Sequence, residues 1–169
     1  MNPHRISSQQ GVTLIEVLIA LLVLSIGLLG LAGLQAVSLQ HNHNAHLRSQ
    51  ATNLSYDILD RMRANRTNAL QGAYTSAALD TTISCNPTLA PTGNLAARDL
   101  AQWRNQVACQ LAEGAGAISA INNGTVTITL CWRERVPEAA EDDDEDSANG
   151  IPDLCLDAGL MGFSYTARL

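Results

Sequence analysis

Val17 to Leu34 is a run of eighteen apolar or small residues, relieved only by Ser25, Gly27, Gly30 and Gly33. At 1.5 Å per residue a helix of this length covers about 27 Å, most of the hydrocarbon core of a bilayer. Its apolar residues go all the way round, so it is not the one-sided surface helix of a globular domain. From Ile6 to Leu47 the one formally charged side chain is Glu16. These features predict a single membrane-compatible helix near the N-terminus. Each of the three glycines costs a helix about 1 kcal/mol relative to alanine. They permit close approach of other helices or local loosening, and the sequence leaves both open.

Three kinds of segment have this outline. A cleaved secretory signal has a shorter apolar core of roughly 7–15 residues and a small-residue cut site beyond it. A plain membrane anchor has no use for an acid at its edge, because a charge in hydrocarbon costs several kcal/mol unless paired or near an interface. The third is a leader cut on the polar side of the helix, which leaves the helix on the mature chain.

Gly11-Val12-Thr13-Leu14-Ile15-Glu16-Val17 carries the third option, and it resembles the processing site of type IV prepilins. The resemblance implies cleavage after Gly11 by a prepilin peptidase and N-methylation of Val12. The first mature residue is most often Phe in that family and is Val here. Cleavage would create a positive amine at Val12, and a carboxylate at the edge of an apolar helix needs a positive partner. The family implies that Glu16 finds it in the Val12 amine of a neighbouring subunit. Gly11, Val12 and Glu16 are thus substrate and assembly residues, not catalysts.

Beyond Leu34 the pattern changes. Leu47, Ala51, Leu54, Ile58 and Met62 form one stripe of an amphipathic helix, with Asp57 and Arg61 four apart, acid first. One helix from near Val12 to near Asn65 is expected, roughly 50 residues or about 80 Å long. Residues 12–40 would be its membrane and filament part, and its second half would offer one face to a head. Thr67 to Gly93 reads as a long irregular connection. Ala96 to Leu111 reads as a helix with Leu100, Trp103, Val107 and Leu111 on one face and Gly114 as its stop. Asn122-Asn123-Gly124 signals a turn, followed by a strand in which Val126, Ile128, Leu130 and Trp132 alternate with Thr125, Thr127, Thr129 and Cys131. Its partner is expected at Ala117 to Ile121, and Met161 to Ala167 alternates as a last strand. The expected fold class is α+β, pilin-like, with a small antiparallel sheet against helix. The expected parts are a leader (1–11), a long helix (12–66) and a globular head (67–169).

Cys85, Cys109, Cys131 and Cys155 all fall in the head. An even count beyond an exporting segment favours disulfides, and four cysteines allow three pairings. Cys85–Cys109 with Cys131–Cys155 is preferred, because the second bond would tie a strand end across the acidic segment. No C-x-x-C pair is present, which disfavours zinc and thioredoxin-like chemistry.

The net charge of −6 is a local property. Seven acids lie between Glu138 and Asp146, and the remaining nine face ten arginines; there is no lysine. No broad basic field exists, so nucleic acid is not the expected partner. Asp142, Asp144 and Asp146 alternate like the start of a calcium loop, but Ser147 stands where Gly is wanted and Asp153 where Glu is wanted. A solvated, self-repelling segment is the preferred reading over calcium. His41, His43 and His46 lack the i, i+4 spacing of helical metal sites. No nucleophile–base–acid set, phosphate loop or dinucleotide motif is present, so neither an enzyme nor a cofactor is expected.

Within the prepilin group the chain resembles the PilV-type minor pilins, the type IV pilus modification proteins, through GVTLIEVLIALLVLSIGLLGLAGLQ and LRSQATNLSYDILDRMRANR, with Trp103 and the Thr-rich strand ending in Trp132 also similar. The resemblance implies a structural component that primes pili at the inner membrane and enters the fibre, supporting twitching motility and adhesion. It implies a single-pass protein with a periplasmic head. Other minor pilins, the major pilin, the prepilin peptidase and the inner-membrane assembly machinery are the implied partners. A type II secretion pseudopilin and a tip adhesin are the alternatives. Asp60-Arg61-Met62-Arg63-Ala64-Asn65 is read as favouring the pilus.

Overall fold

The structure, a computed structural model, describes residues 13–134 and 151–169. The elements in chain order are α1 (Leu14–Ala64), α2 (Arg66–Leu70), α3 (Leu95–Gln110), β1 (Ala115–Ile118), β2 (Thr125–Trp132), α4 (Asp153–Leu156) and β3 (Met161–Arg168). This is the pilin-like α+β class: a long first helix, then a three-stranded antiparallel sheet of order β1-β2-β3 with helix. The chain divides into two compact units, one ending at Gln40 and the other starting at His41.

In the first unit every described side chain from Thr13 to Leu39 is exposed. An 18-residue window of α1 reaches a mean hydropathy of 2.7, which makes it long and apolar enough to cross a membrane.

The second unit has its own core. From α1 it takes Leu47, Ala51, Leu54, Ser55, Ile58, Leu59 and Met62, all buried. The stripe read from periodicity is therefore the buried face, widened by Ser55 and Leu59. Ser55 satisfies its hydroxyl on the carbonyl of Ala51, four residues back, at 3.1 Å. Packing against the head begins at Leu47, on the helix face expected to be offered to it.

The connection expected to be irregular from Thr67 starts with α2 and then carries Tyr74, which is fully buried. Ser76 pairs with Ile118 as an isolated bridge. None of the residues from Thr75 to Leu95 is buried.

Helix α3 begins at Asn94, whose side chain accepts the N–H of Ala97 at 2.9 Å, an N-cap that satisfies one of the helix's free donors. It ends at Gln110, and the left-handed residue after it is Glu113 (φ 52°), not Gly114. Arg133 grips the Glu113 carboxylate through Nε at 2.6 Å and Nη2 at 2.7 Å, a bidentate pair that holds this turn.

Trp103 is fully buried, and its Nε1 donates to the carbonyl of Leu54 on α1 at 2.9 Å. Across from it stands Gly116 of β1, where any Cβ would meet the indole ring. The large aromatic and the missing side chain are one packing solution.

Strand β1 is Ala115–Ile118, earlier and shorter than the expected Ala117 to Ile121. The reason is an extra residue. Ile118 pairs with Ile128 and Asn122 with Thr125, so Ser119, Ala120 and Ile121 stand opposite only Val126 and Thr127. Such a bulge breaks regular pairing. The turn itself is as expected, with Asn123 (φ 52°) and Gly124 (φ 77°) both left-handed.

The alternation in β2 separates two surfaces. Val126, Ile128, Leu130 and Trp132 face the main core with α1 and α3. On the opposite face Thr127 meets Thr166 at 3.0 Å and Thr129 meets Ser164 at 2.9 Å, hydroxyl to hydroxyl across β2 and β3. At the end of that face Cys131, Cys155 and Leu160 make a second small core, with Leu79 and Ile151 against it.

Candidate functional site

The N–H groups of Glu16 and Val17 donate to the carbonyl of Thr13 at 3.1 and 3.3 Å, which places Glu16 in the first turn of α1. A carboxylate there is favoured by the unpaired N–H groups of the helix end. Among the described residues Glu16 makes no salt bridge, and the chain has no lysine or arginine between it and Arg48. Along the helix that follows, large apolar side chains are exposed: Val17 is 46% exposed, Leu18 60% and Leu29 73%. So large an apolar surface needs lipid or other apolar helices to cover it. Gly11 and Val12, the expected cleavage and methylation residues, lie outside the described residues.

In the head the four cysteines form two bonds, Cys85–Cys109 and Cys131–Cys155, with Cα separations of 4.6 and 5.4 Å. Cys131 and Cys155 are fully buried, whereas Cys85 and Cys109 are exposed. Asp142, Asp144 and Asp146 lie outside the described residues. His41, His43 and His46 are each exposed on α1.

A polar network that periodicity did not single out joins the connection, α1 and α3. Arg61 reaches Asp57 at 3.0 Å, Gln102 at 2.8 Å and Asp99 at 3.4 Å. The Tyr74 hydroxyl donates to the other Asp99 oxygen at 2.5 Å and accepts from Asn65 at 3.2 Å. Asp99 was detectable in principle: it lies three residues after Ala96 and four before Trp103, on the helix face that becomes buried. An acid on such a face must find partners. Arg63 reaches Asp60 at 3.2 Å and the carbonyl of Arg168 at 3.4 Å, and Arg66 the backbone oxygen of Leu169 at 3.4 Å. The arginines of the 60–66 stretch thus take part in head architecture.

Burial, reinforced by the Asp99 hydrogen bond, pushes the Tyr74 phenol above its ordinary range. A raised tyrosine pKa means that the fold favours the neutral phenol. Its contribution is complete below the ordinary value of about 10 and is lost as pH rises through the folded value. The expected result is a falling melting temperature above pH 10, with a shallower fall in Tyr74→Phe. That variant should cost about 1 kcal/mol at neutral pH for the lost hydrogen bond. Tyr165, raised by its hydrogen bond with Tyr56, acts with the same sign, so the slope is reduced and not abolished. Thermal melts between pH 8 and 11 measure it; equal slopes in both proteins would contradict the assignment.

No curated protein and no solved structure matches the chain. One family pattern does, the prokaryotic N-terminal methylation motif, over residues 6–32. That span contains Gly11, Val12 and Glu16 and runs into the exposed apolar half of α1. The motif implies processing by a prepilin peptidase and assembly with other pilins, and it fits a structural role better than a catalytic one. Motif, apolar helix and disulfide-bonded α+β head together support a type IV pilin-like protein anchored in a membrane.

Proposed function

We propose that the chain is a minor pilin of the pilus modification type, which primes type IV pili and enters the fibre, with residues 1–11 as leader, 12–66 as the long helix and the rest as head. The observation that carries this reading is the placement of Glu16. It sits in the first turn of a helix whose side chains are all exposed through Leu39, with no cation beside it among the described residues. A subunit offering an amine at Val12 meets that need, and covering the apolar surface supplies the driving force. Other minor pilins and the major pilin are the partners on this reading. In it the head stands in the periplasm before assembly, and its role in twitching and adhesion is one of shape and contact.

The test is Glu16→Ala expressed in cells that make pili. Cleavage after Gly11 should persist, while the amount recovered in sheared fibres falls at least tenfold. Undiminished incorporation would reject the proposed pairing. Deleting the gene separates the pilus from the secretion pseudopilin: loss of twitching with normal protein secretion supports the proposal, and the reverse rejects it.

A further inference from the structure

We infer that Cys85–Cys109 is a thiol-exchange site of the folded head, a bond that opens and closes without unfolding, whereas Cys131–Cys155 exchanges only when the head unfolds. The two bonds span the same sequence separation, 24 residues each. Loop-closure entropy therefore does not distinguish them; their surroundings do. Exchange begins when a thiolate attacks a disulfide sulfur, so access to that sulfur controls the rate. Cys131 and Cys155 are both 0% exposed and pack with Leu160 in the second core. Cys85 and Cys109 are exposed, one on the connection and one in the last turn of α3.

What the exposed bond restrains also differs. No residue from Thr75 to Leu95 is fully buried, and Leu79, half-buried against the second core, gives this stretch an apolar hold near its start. Besides the bond, it is fastened by the Ser76–Ile118 bridge, by Arg104 on the Ser76 hydroxyl, and by the Asn94 cap. Next to the bond, Asn105 accepts from the Asn86 N–H at 2.7 Å and donates to its carbonyl at 3.0 Å. Opening the bond thus loosens a surface segment and leaves the main core intact.

The segment borders a cavity of about 520 Å³ lined by Thr81 to Ser84 and Ala108, and also by Ala158 and Leu160. Ser84 and Ala108 directly precede Cys85 and Cys109. The redox state of the exposed pair therefore sets the freedom of one part of the cavity lining, while Leu160 stays tied to the buried pair. The reductant is a dithiol, as a small molecule or at the active site of an oxidoreductase. One of its sulfurs, as thiolate, bonds to one cysteine sulfur and displaces the other as thiolate. Its second sulfur, once deprotonated, then bonds to the reductant's first sulfur and displaces the remaining cysteine as thiolate, and both cysteine thiolates take up protons. The products are two cysteine thiols and an oxidised dithiol, with two electrons transferred to the protein.

The test uses the full chain in detergent, treated with graded dithiothreitol under native conditions, alkylated and mapped by mass spectrometry. Cys85 and Cys109 should become alkylated at least tenfold faster than Cys131 and Cys155, with near-ultraviolet dichroism retained. Amide hydrogen exchange should rise at residues 81–84 and stay unchanged in β2. Equal rates for the two bonds, or loss of the dichroism as the first bond opens, would overturn the inference. The Cys85→Ser, Cys109→Ser variant gives an independent check. It should fold and be cut faster by protease between residues 77 and 93; an unchanged cutting rate or a failure to fold counts against it.

Discussion

Trp103→Ala is expected to be strongly destabilising to the head. The indole is fully buried, packs where Gly116 leaves room, and ties α3 to α1 through the carbonyl of Leu54. Truncating a buried tryptophan to alanine costs about 3–5 kcal/mol, from lost transfer energy and the cavity left behind. Against a typical domain stability of about 5–15 kcal/mol this is at least about a fifth of the total. The melting temperature of the detergent-solubilised chain should fall by about 10–20 °C, read from Trp132 fluorescence and near-ultraviolet dichroism. Far-ultraviolet dichroism is the wrong readout, because the apolar half of α1 contributes helix signal whether or not the head is folded. Trp103→Phe should cost clearly less, since it keeps a ring against Gly116 and gives up the N–H to Leu54. A melting temperature within 2 °C of the parent in Trp103→Ala would contradict the packing.

Replacing Cys131 and Cys155 together by alanine should lower stability by about 3 kcal/mol, the usual figure for a loop of this length. It corresponds to a fall of about 10 °C in melting temperature. The entropic account alone predicts the same loss at the Cys85–Cys109 bond, because both span 24 residues. The structure predicts a larger loss at the buried pair. Removing its sulfurs also opens space beside Leu160 on the second face of the sheet, and unfilled space carries its own cost. Parallel melts of the two double variants make the comparison. A buried-pair variant as stable as the exposed-pair variant would show that the second core contributes nothing.

Much of the architecture was legible because it rests on periodicity. The stripe Leu47, Ala51, Leu54, Ile58 and Met62 is the buried face of α1, and the alternation from Val126 to Trp132 divides the two faces of β2. Asn123-Gly124 marked the hairpin turn because few residues adopt a positive φ at low cost. Other features rest on long-range placement and left little trace. The bulge at Ser119 to Ile121 depends on which residues pair across the hairpin, and no local pattern encodes an extra residue. Glu113 takes the left-handed position, and its carboxylate pairs with Arg133, twenty residues away. Tyr74 lies in a stretch whose composition reads as loop, yet it is buried through partners on α1 and α3.

The amino-acid sequence by itself determined the feature that the methylation motif matches: Gly11-Val12 and Glu16 just before a long apolar run. Charge position and hydropathy along one helix are local properties, and no fold is needed to state them. Only the tertiary structure decided how Asp99 and Arg61 are satisfied and how differently the two disulfides are placed. Burial and access belong to the packed molecule: two cysteine pairs with equal spacing differ in environment because one lies under Leu160 against the sheet and the other faces solvent.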